Sequence, residues 1–124
     1  MLYIEDNPSN LRLVAQILGR RPHLQLFTAH TPELGIELAL GRRPDLILLD
    51  INMPGMDGYQ VLEVLRLDAR SRDIPVIAIT ANAMPADIAR GRAAGFADYL
   101  TKPLDVVRLH EAVDARLPAA GDRA

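Results

Sequence analysis

Short apolar runs alternate along the chain with longer stretches in which apolar residues recur every three or four positions, five such units in all. This alternation predicts an α/β fold with a parallel sheet. Residues 2–5 form the first strand candidate, and Asp6-Asn7-Pro8 supplies a turn, a cap and a proline suited to a helix start. Leu11, Val14, Ala15 and Leu18 then mark one helical face. Residues 24–29 read as the second strand. Thr31-Pro32 caps the next helix, whose Leu34, Leu38 and Ala39 point one way and which Gly41 is expected to end. Residues 46–50 form the third strand; its Leu-Ile-Leu-Leu run is apolar on both faces, as a central strand covered by helices on each side requires. Asp57-Gly58 opens a helix carrying Val61, Leu62 and Leu65, and Pro75 introduces the fourth strand at 76–80. A helix over 86–94 stops at Gly95. A short strand at 98–101 follows, and Val106, Leu109, Ala112 and Val113 line a last helix ending near Leu117.

At 124 residues the pattern fits one domain, expected over 1–117, with 118–124 a flexible tail or the start of a linker. Hydrophobic residues at 49% and charged residues at 24% are ordinary globular usage, enough to build a core. A formal charge of −2 provides no basic field for nucleic acid or anionic lipid, which argues against direct binding to either. With no cysteine, disulfides and thiolate metal sites are excluded. No signal peptide and no apolar run of the roughly 20 residues that span a bilayer can be read, so a cytoplasmic location is the expectation. Among the 14 basic residues Lys102 is the only lysine, which singles it out.

In a parallel sheet the ligand site lies beyond the carboxyl ends of the strands, so the residues there belong together. Glu5 and Asp6 end the first strand, Asp50 the third and Thr80 the fourth, while Lys102 follows the fifth. Like charges about 4 Å apart repel by about 4 kcal/mol at an effective dielectric of about 20, so three converging carboxylates need raised pKa values or a cation. The available ligands are oxygens, which suits Mg²⁺. An aspartate beside Mg²⁺ and a lysine is equipped to attack phosphorus, because metal and ammonium neutralise charge on the transferring oxygens. In this reading Asp50 is the phosphoacceptor, Glu5 and Asp6 hold metal, the backbone carbonyl of Asn52 adds an oxygen, and the Thr80 hydroxyl contacts a phosphoryl oxygen.

Taken singly, each residue has a plainer reading: Glu5-Asp6 as a solvated loop, Thr80 and Asp50 as caps, Lys102-Pro103 as a turn. Their coincidence at the ends of successive strands, with the single lysine among them, favours the functional reading. His23, His30 and His110 have no spacing that suggests shared ligation and read as structural or surface residues. Met53, Met56 and Met84 are expected to pack near the site, and Asp57 to cap a helix.

These residues resemble the receiver domain family of response regulators (CheY-like) from Leu2 to about Leu117. The resemblance rests on Tyr-Ile-Glu-Asp-Asn, Leu-Leu-Asp-Ile-Asn-Met-Pro-Gly-Met-Asp-Gly, Ile-Thr-Ala and Tyr-Leu-Thr-Lys-Pro at the first, third, fourth and fifth strands. It implies a flavodoxin-like doubly wound sheet of five parallel strands in the order 2-1-3-4-5, with five helices. It further implies that Asp50 accepts phosphate from a phosphohistidine on a histidine kinase or histidine phosphotransfer protein, with Mg²⁺ held by Glu5, Asp6, Asp50 and Asn52. Lys102 would pair with the phosphoryl group, Thr80 would move toward it, and Tyr99 would change rotamer. A cis Lys102-Pro103 bond and phosphorylation-dependent pairing of two copies belong to the same expectations. Glu5 stands where the family also often has Asp. Glu-Asp-Asn-Pro-Ser-Asn and Leu-Thr-Lys-Pro-Leu-Asp look like receivers attached to hybrid sensor histidine kinases.

Two other classes compete. A Mg²⁺-dependent aspartyl-phosphate hydrolase usually places its nucleophile after the first strand, with a second Asp two residues on; here Asn52 stands two residues after Asp50. A flavodoxin-type binding module would want a Gly-rich phosphate loop after the first strand, which is missing.

Overall fold

The computed structural model describes residues 1–22, 24–81 and 84–117. Strands β1 (Leu2–Ile4), β2 (Phe27–Ala29), β3 (Ile47–Asp50), β4 (Val76–Thr80) and β5 (Asp98–Thr101) alternate with helices α1 (Pro8–Leu18), α2 (Pro32–Arg42), α3 (Gly58–Leu67), α4 (Pro85–Ala94) and α5 (Val106–Arg116). All strand pairs are parallel, and the order is β2-β1-β3-β4-β5.

Strand side chains alternate across the sheet, so residue parity separates two cores. Leu2, Ile4, Ile47, Leu49, Val76 and Ala78 face one side with Val61, Leu62 and Leu65 of α3. Tyr3, Leu48, Ile77, Ile79 and Leu100 face the other, with Val14 and Leu18 of α1 and Leu109, Ala112 and Val113 of α5. Each Leu, Ile or Val so buried contributes about 1.5–3 kcal/mol. This is why β3 and β4 are apolar throughout and carry polar groups only at their last residues, Asp50 and Thr80.

Helix starts follow local chemistry. Asn7 accepts from the Ser9 and Asn10 N–H groups, Thr31 from Leu34 and Asp105 from Arg108, while Asp57 and Gln60 form a reciprocal capping box. Asp57 is therefore the cap that was expected.

Some boundaries differ from the sequence expectation. The second strand starts at Phe27 and not at residue 24, because β1 supplies ladder partners only from Leu2, opposite Phe27. Leu24 and Leu26 still pack against the α1/α5 core, so their alternation recorded burial and not pairing. Gly41 does not end α2; the helix runs to Arg42, and Arg43 takes the left-handed turn at φ 46°. Met53 and Met56 pack as expected, but Met84 is 65% exposed and fills no gap. His30 is exposed, and the Nδ1 of the half-buried His110 lies 3.1 Å from Arg21 Nη1, so both fit structural or surface roles. His23 and the expected tail at 118–124 lie outside the described residues. No described helix is long and apolar enough to cross a membrane.

Candidate phosphoacceptor site

Parallel register brings the strand ends level. Ile4 lies opposite Leu49, Asp50 opposite Ile79 and Thr80 opposite Thr101, so Glu5, Asp50, Thr80 and Lys102 all emerge at one edge. Glu5 and Asp50 are almost fully buried there, while Asp6 is exposed. A carboxylate oxygen from each of the three lies within 4.8 Å of the others. Lys102 Nζ donates to Asp50 Oδ2 at 3.1 Å and sits 3.3 Å from Glu5 Oε1. The Asn52 N–H donates to Asp50 Oδ1 at 2.9 Å. The Lys102-Pro103 bond is cis.

The two buried carboxyls differ in their proton affinity. Burial, reinforced by the hydrogen bond and like charge of Asp50, pushes Glu5 up to about 7, against the pull of Asn10 and Lys102. Burial alone would raise Asp50 too, but its hydrogen bonds from Glu5, Asn52 and Lys102 hold it below the ordinary carboxylate value. Of the two, Glu5 is thus the weaker acid and Asp50 the stronger. Burial would lower Lys102, but Asp50 and Glu5 outweigh it and raise it, which keeps the ammonium charged.

An all-oxygen set of three carboxylates, two of them desolvated, matches what a hard divalent cation requires, and Lys102 alone does not neutralise it. The described residues thus fit the expected Mg²⁺.

Thr80 is fully buried, and its hydroxyl donates to Asn52 Oδ1 at 3.1 Å. Tyr99, on the neighbouring strand opposite Ala78, is buried beneath α4. Its ring lies against Gly91, where an added Cβ would fall 2.6 Å from the ring edge. Glu5, Asp6, Asp50, Asn52, Thr80, Tyr99 and Lys102 are therefore brought to one end of the sheet or just beneath it.

The sequence reading missed three contributors. Asn10 Nδ2 donates to Glu5 Oε1 at 2.9 Å, and Tyr3 Oη donates to the same oxygen at 3.2 Å. The Asn52 side chain also reaches Thr80, although only its backbone carbonyl had been assigned a role. Asn10, one helical turn after the Asp6-Asn7-Pro8 start, could have been noticed as a polar residue held near the strand end; Tyr3 and the Asn52 amide left no comparable trace.

Fold and site together define an open α/β protein with a buried, cation-ready carboxylate pocket at its topological switch point. The family model for the response regulator receiver domain matches residues 1–114, and the chain belongs to that family. It is 35% identical over 117 residues to Protein PilH of Pseudomonas aeruginosa, covering 94% of this chain and 96% of that protein. It is 37% identical to the polar-differentiation response regulator DivK of Brucella anthropi, covering 94% of each. The histidine-protein kinase BarA of Escherichia coli matches at 35% over 98% of this chain, which spans only 13% of that kinase. Among solved structures, chemotaxis protein CheY4 of Vibrio cholerae superposes with a TM-score of 0.85 at 25% identity, covering 94% of this chain and 96% of that one. The receiver domain of sensor histidine kinase PA1611 from Pseudomonas aeruginosa gives 0.82 at 31% identity, covers 93% of each chain, and has a magnesium ion coordinated in its active site cleft. The chain is thus a receiver domain of two-component signalling, a class that works with histidine kinases or phosphotransfer proteins and is not in itself an enzyme family.

Proposed function

We propose that Asp50 is the phosphoacceptor of this receiver, and that its modification switches a partner-binding surface. The observation that carries this is the setting of Asp50: buried, with Lys102 on one oxygen and the Asn52 N–H on the other. An Asp50 oxygen attacks phosphorus, the bond from phosphorus to the imidazole nitrogen of a partner phosphohistidine breaks, and the imidazole leaves with that electron pair and takes up a proton. The product is an acyl phosphate. Glu5, Asp6, Asp50 and the Asn52 carbonyl would hold Mg²⁺, which when bound neutralises charge on the phosphoryl oxygens. Lys102 pairs with the same oxygens from the other side, and its compact ammonium suits that place better than a guanidinium. Thr80 turns toward the phosphoryl group, Tyr99 follows, and the surface of α4, β5 and α5 changes for a downstream partner or a second copy.

Incubation with Mg²⁺ and phosphoramidate tests the assignment, read as the mass gain of one phosphoryl group mapped to Asp50. Asp50→Asn should abolish it. Full labelling of that variant with no other site activated, or steady turnover of an external phosphomonoester by the wild type, would sink the assignment; the second result would point to the hydrolase reading.

A further inference from the structure

Asn52 Oδ1 lies 3.4 Å from the Ala81 N–H and 3.1 Å from Thr80 Oγ1. A backbone N–H can only donate, so this end of the amide is the oxygen, and an amide oxygen can only accept. The Thr80 hydroxyl therefore directs its proton at Asn52. A hydroxyl has one proton to give, and a phosphoryl oxygen on Asp50 would need the same one.

We infer that the Asn52 side chain is a latch that holds Thr80 in the unphosphorylated arrangement, and so sets how much of the switched surface exists before phosphate arrives. Asn52 is thus a positioning residue that acts through Thr80. The inference rests on the phosphoacceptor reading of Asp50 and adds to it a competitor for Thr80. The competition has a definite direction. The amide oxygen is neutral, whereas a phosphoryl oxygen is anionic and accepts a charge-assisted bond of roughly twice the strength. The latch holds Thr80 when Asp50 is unmodified and yields when it is phosphorylated.

The chain has three tyrosines, so fluorotyrosine labelling yields three fluorine resonances, with Tyr99 assigned by Tyr99→Phe. Without any phosphodonor, Asn52→Ala should move the Tyr99 resonance toward its phosphorylated position, with about a five-fold rise in the switched population, the ratio set by one ordinary hydrogen bond. The shift should vanish in a Thr80→Val background, which keeps shape but lacks the hydroxyl, and persist in Thr80→Ser. A urea-unfolding cycle over Asn52→Ala and Thr80→Val should show coupling of similar size. An unmoved Tyr99 resonance in Asn52→Ala, an equal shift in the Thr80→Val background, or additive effects in the cycle would each overturn the latch. Phosphoryl labelling of the wild type is scored separately by intact mass. Its absence would refute Asp50 as acceptor, while the cycle would still decide whether the 52–80 bond holds Thr80.

Discussion

Helices α3 and α4 pack on the same side of the sheet, yet they are attached very differently. From α3, Gly58, Val61, Leu62 and Leu65 are buried, and a full capping box closes its start. Among the residues of α4 only Gly91 is buried, and Met84 brings no side-chain cap. The first turn of α3 is also locked onto the site: Gly58 donates to Ile51 O at 3.3 Å, and a Cβ there would fall 2.6 Å from the Ile51 backbone. A firmly held helix beside Asp50 and Asn52 fixes that end of the sheet. A lightly held helix over Tyr99 can change position at small cost. On the function proposed above, the contrast would put the chemistry on a rigid side and the response on a yielding one.

The largest expected effect is on α3. Leu65→Ala should destabilise the domain by about 2–5 kcal/mol in urea unfolding, the range for a fully buried leucine. A loss below about 1 kcal/mol would erase the difference between the helices.

Next comes acid–base behaviour, which belongs to the carboxylates and not to either helix. The Glu5 carboxyl rises from 4.5 in the unfolded chain to about 7 in the fold, so between those values the folded state binds more protons than the unfolded state. Metal-free stability should therefore be full below pH ~4.5 and decline as the pH rises to ~7, by roughly 1–3 kcal/mol. Asp50, shifted the other way, acts in a separate window: its stabilisation is present above its unfolded value and lost on acidification below it. Urea unfolding at several pH values checks this, and Glu5→Gln should flatten the upper slope. A stability that instead rises across that interval would contradict it.

Gly91→Ala probes the yielding side directly. Alanine should favour the helix by up to about 1 kcal/mol, but its Cβ would meet the Tyr99 ring at 2.6 Å, so something must move. The expected result is a stability change within about 1 kcal/mol and a clearly altered Tyr99 environment by fluorine NMR. A loss above about 2 kcal/mol with Tyr99 undisturbed would mean that α4 is as fixed as α3. The smallest effect is expected for Ile88→Ala, where a half-buried side chain of α4 should cost about 1 kcal/mol or less.

Much of this arrangement was legible in the order of residues. Apolar runs ending in Asp50 and Thr80 marked strands whose polar groups had to lie at one edge, and the only lysine, Lys102, stood out against a background of arginine. Asp57, Thr31 and Asn7 act locally within a few residues, so their capping roles could be read without a fold. The family motifs supplied the strand order and the switching role expected of Tyr99, which periodicity alone could not. The missed features depend on distance in space: Asn10 and Tyr3 meet at Glu5, and the Asn52 amide meets Thr80 across 28 positions of chain.

The alternation of elements, the burial parity within each strand and the identity of the groups at the strand ends follow from residue order alone, because side-chain periodicity and local hydrogen bonding set them. It takes the folded packing to show in which direction each buried carboxyl shifts, which acceptor takes the Thr80 hydroxyl, and that α4 rests on Gly91 above Tyr99. Each of these is set by a contact between segments distant in sequence inside a desolvated site, where the low dielectric strengthens every hydrogen bond and charge interaction.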